Sequence, residues 1–157
     1  MNEETPGGGE GGEGGEGGEG GEGGEGSEGG CLCGKLRYRM SGMPRSSTLC
    51  FCRTCRLASG APMVGWLVVP IERFKWLAGK PRQHRSSTAV TRSFCADCGT
   101  PLTYQHDDSP DTIDVATVTL DRAEDVAPTR EIWHSDKLSW AASDPRLQHW
   151  PRDVDQA

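Results

Sequence analysis

The 157-residue chain has 22 glycines, seven cysteines and a formal net charge of −6, and these totals are divided unevenly along it. Residues 1–30 contain 16 of the glycines and nine glutamates without a basic residue, so the other 127 residues carry 17 basic and 23 − 9 = 14 acidic side chains. A balance of +3 argues against a nucleic-acid partner, and no apolar run approaches the ~18 residues of a membrane span.

The first residues and the cysteine count indicate the compartment. The start, Met-Asn-Glu-Glu-Thr-Pro-Gly, has neither the basic segment nor the apolar segment of a secretory signal. Seven is also an odd number for a disulfide framework. We therefore expect a cytoplasmic protein without a membrane association, whose cysteines are reduced.

The first segment in chain order is a low-complexity arm. From Gly7 to about Gly30 the chain repeats Gly-Gly-Glu, with no proline to favour an extended helix. Such a chain loses much backbone entropy on ordering and buries no apolar side chain in return. We predict a disordered arm over residues 1–28, one zinc-binding domain over residues 29–151, and a short tail over residues 152–157.

The domain itself is predicted to be all-β with short helices. Alternating or compact apolar runs broken by glycine and proline are typical of short strands, and strands at this spacing favour a sandwich or a barrel-like arrangement. The predicted strands are Lys35–Met40, Met63–Val69, Phe74–Leu77, Ser87–Phe94, Pro101–Tyr104 and Thr112–Leu120. Short helices are expected around Thr54–Ala58 and Arg122–Asp125.

The histidines and the C-terminal tryptophans have no local motif around them. His84, His106, His134 and His149 are far apart in the sequence, so we predict isolated surface side chains. Trp133, Trp140 and Trp150 are predicted mostly as core or closing contacts.

All seven cysteines fall into three tight clusters, which predicts metal binding. Two thiolates separated by one or two residues on a turn can reach one tetrahedral ion at about 2.3 Å. Glycine directly after such a pair allows a left-handed backbone there, and soft thiolates select zinc or an iron–sulfur cluster. The clusters are Cys31 with Cys33 before Gly34, then Cys50, Cys52 and Cys55, then Cys95 with Cys98 before Gly99.

Three groupings of the cysteines are open at this point. A division of the cysteines into four and three would give two zinc sites. The first and third clusters would form a closed structural site, and the second cluster would form a site with an open position. A single zinc ribbon from Cys52, Cys55, Cys95 and Cys98 would leave three cysteines without a ligand role. An iron–sulfur cluster is disfavoured because the usual four-cysteine spacings do not occur in one run.

The three clusters, in this order and at these spacings, resemble the glutathione-dependent formaldehyde-activating enzyme family, which also includes centromere protein V. The similar segments are Gly29–Gly34, Cys50–Arg56 with Ser59-Gly60, Phe94–Thr100, and the closing Ile132-Trp133 and Trp140. One departure is Phe51, because family members often carry histidine or another polar residue between the first two cysteines of this cluster.

The resemblance implies a small β-tent fold with two zinc ions. It would place Cys31, Cys33, Cys95 and Cys98 around a structural ion and Cys50, Cys52 and Cys55 around a catalytic one. It also implies a carbon–sulfur lyase that joins a thiol such as glutathione to a small aldehyde, formaldehyde, giving S-hydroxymethylglutathione.

Two further hypotheses concern the function. Arg53 and Arg56 lie inside the ligand loop, where they could offset thiolate charge or bind glutathione carboxylates. Alternatively, they are surface charges or form hydrogen bonds within the loop. The alternative to an enzyme is a zinc-stabilised binding module without turnover.

Overall fold

The computed structural model of the protein describes residues 26–153, and these form two β-sheets that share one hydrophobic core. The strands are β1 Ser27–Gly30, β2 Arg37–Met40, β3 Ser46–Cys50, β4 Val64–Pro70, β5 Phe74–Ala78, β6 Arg82–Arg85, β7 Val90–Phe94, β8 Pro101–His106, β9 Thr112–Ala116, β10 Arg130–Ile132 and β11 Gln148–His149. The α-helix of this part of the chain is α1, Arg53–Ser59, and four short 3₁₀ turns complete it: Ile71–Arg73, Thr117–Thr119, Ala123–Val126 and His134–Asp136.

The larger sheet has the order β11-β10-β3-β4-β9-β8-β7-β6, and the smaller one has the order β1-β2-β5. Neighbouring strands are antiparallel, except that β10 pairs in parallel with both β3 and β11. The prediction of an all-β domain with short helices is therefore confirmed.

The main core lies between the two sheets. Tyr38 and Met40 of β2 pack in one cluster with Leu67 of β4, Leu102 of β8 and Val115 of β9, and all five are almost completely buried. Burial of an apolar side chain of this size contributes about 1.5–3 kcal/mol, so this contact accounts for much of the stability that holds the small sheet on the large one.

The opposite face of the large sheet carries a second, smaller cluster. Side chains alternate between the two faces of a strand, so Leu67 enters the main core and its neighbour Trp66 faces the other way. Trp66 packs there with Cys50, Cys55 and Ala116. This second face is the one that carries the three-cysteine cluster.

The predicted strands and helices occur close to where the sequence patterns placed them. Strand β4 ends at Pro70 as expected, and the segment Thr112–Leu120 divides into β9 and a 3₁₀ turn. The patterns missed β3, β6, β10 and β11, which are short or polar and have no clear alternation of apolar residues.

The end of the glycine- and glutamate-rich segment, Ser27–Gly30, belongs to the small sheet. Strand β1 begins at Ser27, two residues before the predicted domain start, and pairs with β2. The Glu28 carboxylate accepts a hydrogen bond of 2.9 Å from Nε of Arg39 and lies 3.6 Å from Arg37. A Cβ on Gly29 would lie 2.4 Å from both the Thr119 carbonyl oxygen and the Tyr38 hydroxyl, so only glycine fits. The rest of the predicted disordered arm, residues 1–25, lies outside the described residues.

The C-terminal tryptophans differ from one another. Trp133 and Trp150 are partly buried, and the guanidinium of Arg152 lies 5.4 Å from the Trp133 ring. Residue 152 of the predicted tail therefore contacts the domain, and residues 154–157 lie outside the described part. Trp140 is 72% exposed, so its predicted core role is wrong.

Candidate metal centres and the adjoining clefts

Four cysteines meet at one end of the main core, on two similar turns. Cys31 and Cys33 lie on the turn after β1, and Cys95 and Cys98 lie on the turn after β7. In each turn the amide of the following glycine donates to the first cysteine carbonyl at 2.9 Å. Both glycines have the left-handed backbone expected, with φ of 76° for Gly34 and 77° for Gly99.

The spacing of these four sulfurs fits one tetrahedral ion. Sγ of Cys33 lies 3.5 Å from Sγ of Cys31 and 3.7 Å from Sγ of Cys95, and all four sulfurs are within 4.8 Å of one another. A tetrahedron with metal–sulfur bonds of ~2.3 Å has edges of about 3.8 Å. None of the seven cysteines forms a disulfide, so this group is a set of thiols suited to a soft divalent ion.

Hydrogen bonds to the sulfurs favour their ionised form. The Leu36 amide donates to Sγ of Cys31 at 3.3 Å, and the Thr100 hydroxyl lies 3.2 Å from Sγ of Cys98. The contact with Thr100 lowers the pKa of Cys98 to about 5. Because a thiolate is the form that binds metal, these contacts prepare the group for an ion.

The three-cysteine group lies on the other face of the large sheet, where β3 leads into α1. Cys50 is the last residue of β3, Cys52 is the N-cap of α1, and Cys55 is in its first turn. Sγ of Cys52 accepts a hydrogen bond of 3.3 Å from the Cys55 amide. The first turn of α1 thus brings the thiols of Cys52 and Cys55 close to that of Cys50, and all three sulfurs are within 4.8 Å of one another.

These three thiols share negative charge. Contacts with Cys50 and Cys55 lower the pKa of the Cys52 thiol to about 2, and the contact with Cys52 and with Cys55 raises the pKa of Cys50. Among the three sulfurs, the ionised form is therefore favoured at Cys52. Three sulfur ligands leave one position of a tetrahedral ion without a protein sulfur.

The nearest cation is Arg92, which the sequence patterns did not single out. Its Nη2 lies 3.8 Å from Sγ of Cys55, and its guanidinium is 4.8 Å from the centre of the Tyr104 ring. Arg92 is in β7, opposite Tyr104 of β8. Its place beside the thiols follows from this long-range pairing, for which the local sequence has no signal.

The two arginines named from the sequence are in different positions. Arg56 donates from Nε to the Phe51 carbonyl oxygen at 3.0 Å, so it fixes the ligand loop. Arg53 is exposed at the first residue of α1.

Two clefts flank Trp66 on this face. One has a volume of about 600 Å³, and Cys55, Thr54, Arg92 and His84 are among its lining residues. The other has a volume of about 640 Å³ and is lined by Tyr104 and Asp114, among others. The first cleft therefore reaches the three-cysteine group at Cys55.

Two of the four histidines are not isolated. The rings of His134 and His149 are stacked with their centres 4.4 Å apart, beside the buried Glu131. The prediction of isolated surface histidines is wrong for this pair, because β10 and β11 bring residues 131 and 149 side by side.

A mostly β domain with seven thiols gathered into groups of four and three defines a cysteine-rich class of protein whose thiol groups could hold metal ions. The sequence model of the family named glutathione-dependent formaldehyde-activating enzyme matches residues 26–136. The chain belongs to this family, since the match covers more than half of it.

Other comparisons concern the fold. A crystal structure of a Rhodobacter sphaeroides protein is similar with a TM-score of 0.53 and 16% sequence identity, covering 78% of this chain and 98% of that chain. At this identity the likeness shows the fold alone. No curated protein matches the sequence. Within residues 26–153, no helix is long and apolar enough to cross a membrane.

The carboxyl group of Asp114 predicts a pH-dependent stability. Burial, together with repulsion from Asp153, raises the pKa of Asp114 to about 7. A carboxyl group whose pKa is higher in the folded protein stabilises the fold when protonated, and this contribution is lost as pH rises from about 4 to about 7. Asp114→Asn removes the ionisation. We expect the free energy of unfolding of Asp114→Asn, relative to that of the wild type, to increase by about 2 kcal/mol between about pH 5.5 and about pH 8.

Urea unfolding of both proteins at the two pH values measures this difference. An advantage that is the same at both values would contradict the raised pKa.

Proposed function

We propose that the protein is a zinc-dependent carbon–sulfur lyase that forms S-hydroxymethylglutathione from glutathione and formaldehyde, or cleaves it. The observation that carries the proposal is a group of three thiols, not four, beside a cleft of about 600 Å³ with an arginine next to it. Membership of the formaldehyde-activating family supports the choice of substrates.

The two cysteine groups have different roles in this proposal. Cys31, Cys33, Cys95 and Cys98 would hold a structural zinc, since they supply four ligands and two of them are part of the main core. Cys50, Cys52 and Cys55 would hold a catalytic zinc, with the fourth position open toward the substrate. Zinc bound there would supply Lewis-acid chemistry that ionises an incoming thiol and polarises a carbonyl.

The charge of the catalytic group explains the position of Arg92. Three thiolates with one divalent ion have a net charge of −1, which would oppose the binding of another thiolate. The guanidinium of Arg92 lies 3.8 Å from Sγ of Cys55 and adds one positive charge. It would therefore favour the ionised form of a thiol in the cleft and withdraw charge from Cys55.

The chain also supplies substrate contacts and shape. One side of the cleft is apolar, with Leu57, Ala58 and Val64 among its lining residues, and Arg92 is its cationic side chain. Arg92 and the exposed Arg53 are the arginines that a glutathione carboxylate could reach, whereas Arg56 is held by the Phe51 carbonyl. Phe51 itself is completely buried, so its lack of polarity does not alter the surface of the cleft.

Exchange NMR of the glutathione–formaldehyde adduct tests the reaction. Because the adduct forms and dissociates without a catalyst, the relevant quantity is the exchange rate with enzyme relative to the spontaneous rate. We expect the wild type to accelerate exchange and Cys52→Ala to return it to the spontaneous rate. An equal concentration of zinc salt without protein is the control.

If the wild type gives no acceleration, the enzyme proposal fails and a binding module without turnover replaces it. If Cys52→Ala accelerates exchange as well as the wild type does, the activity does not belong to the three-cysteine group.

A pair of cysteine variants separates the two roles. Cys98→Ala should unfold the domain, because a structural zinc site contributes roughly 10–16 kcal/mol in small peptides. Cys52→Ala should leave the domain folded with one zinc fewer, because α1 and its group lie on the face away from the main core. Circular dichroism and native mass spectrometry measure folding and metal content. Equal unfolding of both variants would exclude a specifically catalytic role for the second group.

A further inference from the structure

Glu131 is a buried acidic side chain that the proposed reaction does not use. It lies in β10, between β3 and β11, and none of its surface is exposed. Oε1 accepts a hydrogen bond of 2.9 Å from the Asp144 amide, and Oε2 accepts one of 2.6 Å from the Ser143 hydroxyl. An ionised carboxylate so deep in a protein needs a compensating positive charge.

The groups that face this carboxylate are two histidines. Within residues 26–153, the ion-pairing partners found for Glu131 are His134, with Nε2 3.3 Å from Oε2, and His149, with Nε2 3.4 Å from the same oxygen. No arginine or lysine of the described chain pairs with it. The two imidazole rings are stacked, with an angle of 4° between their planes. Because an imidazole binds an ion in the plane of its ring, one ring must turn for both Nε2 atoms to meet the same ion.

The distances match those of a metal site. A tetrahedral zinc ion with bonds of about 2.0–2.1 Å to nitrogen and oxygen holds its ligand atoms about 3.3–3.4 Å apart. The two distances from Oε2 of Glu131 have these values, and the three ligand atoms are all within 4.8 Å of one another. Two imidazoles and one carboxylate are a ligand set that zinc uses in proteins with its fourth position open.

The backbone holds the three side chains in place with a rare conformation. His149 lies opposite Glu131 in the pairing of β11 with β10. Trp133 has φ of 55° and ψ of 37°, the left-handed region, and is the non-glycine residue of positive φ within residues 26–153. Such a conformation is unusual for a bulky residue, and strained residues cluster at functional sites. Here it begins the turn that directs His134 back toward Glu131, with the His134 amide donating to the Trp150 carbonyl at 3.0 Å.

We propose that Glu131, His134 and His149 form a third metal site, for a divalent ion of the zinc type. The ligand atoms are Oε2 of Glu131 and Nε2 of each histidine, and imidazole nitrogen with carboxylate oxygen suits zinc, copper or nickel better than magnesium or calcium. The Ser143 hydroxyl donates to the carboxylate and lies 3.2 Å from Nε2 of His134 and 3.5 Å from Nε2 of His149. The Asp144 carbonyl oxygen lies 3.0 Å from Nε2 of His149. An ion bound there would replace these contacts of the two imidazoles. Since both histidines are partly exposed, the ion enters from solvent.

The third site is separate from the cysteine groups and has a structural consequence. The Phe51 ring lies edge-on to His134, with ring centres 6.0 Å apart, and the ligand atoms of the third site form a group distinct from both cysteine groups. An ion at the site would link β10 to the two-residue strand β11. It therefore fastens the C-terminal segment to the edge of the large sheet.

Metal content and histidine NMR test this site on the full chain. In native mass spectrometry with excess zinc, we expect three zinc ions in the wild type and two in His149→Ala and in Glu131→Gln, which nearly preserves side-chain shape. The matched control, His106→Ala, removes a histidine of strand β8 and should keep three. In ¹⁵N NMR of the wild type, zinc added beyond two equivalents should shift the imidazole nitrogens of His134 and His149 and leave those of His84 and His106 unchanged.

Two ions in the wild type, or a third ion retained by both His149→Ala and Glu131→Gln, would overturn the proposal. So would a third equivalent of zinc that leaves the His134 and His149 nitrogens unshifted, which is the result for a closed hydrogen-bond network without metal. If the variants do not fold, the NMR measurement on the wild type decides alone. The outcome is independent of the exchange rate of the glutathione adduct, so failure of one proposal does not imply failure of the other.

Discussion

The constraint on which the structure depends is the approach of four cysteine sulfurs from two turns at one end of the core. Cys33 and Cys95 are 62 residues apart in sequence, and their sulfurs are 3.7 Å apart. The first turn connects β1 to β2 in the small sheet, and the second connects β7 to β8 in the large one. Fastening these turns to one ion would hold both sheets at that end, in addition to the apolar core that packs between them.

A fixed end of the core leaves the other face of the large sheet available for chemistry. Strand β4 separates the two cysteine groups, because Leu67 enters the main core and Trp66 packs on the side of Cys50 and Cys55. The three-cysteine group therefore needs no role in holding the sheets together. Its charge is offset by Arg92 from β7, and its accessible side is a cleft rather than packed protein. The division of seven cysteines into four and three is therefore consistent with the two roles proposed for them.

The sequence predicts what depends on neighbouring residues. Cysteines two or three positions apart with a following glycine specify the two similar turns around the four-cysteine group, and compact apolar runs specify β4 and β9. The sequence predicts a short helix around Thr54–Ala58, and α1 spans Arg53–Ser59. These features have local physical causes and need no knowledge of the tertiary fold.

The features that the sequence did not reveal depend on strand pairing over long distances. Strand β10 is three residues long and pairs in parallel with β3, which is about 80 residues earlier, so no periodicity marks it. The group of Glu131, His134 and His149 exists only because of that pairing and the one with β11. Arg92 reaches Cys55 for a similar reason, since the order of strands in the sheet and not the spacing along the chain brings them together. Strand β1 was missed because glycine and glutamate are poor strand formers, whereas at Gly29 the close contact with Thr119 requires glycine.

The central claim is that one of the two cysteine groups is closed and the other is open to a thiol. Cadmium-113 NMR of the cadmium-substituted chain tests it directly, because each metal–thiolate centre gives its own signal. We predict two signals from sulfur-ligated cadmium. One signal is lost in Cys52→Ala, and glutathione shifts that signal in the wild type. The other signal is unchanged by glutathione. If glutathione shifts neither signal, or shifts the one that persists in Cys52→Ala, the division into a structural and an open centre is wrong.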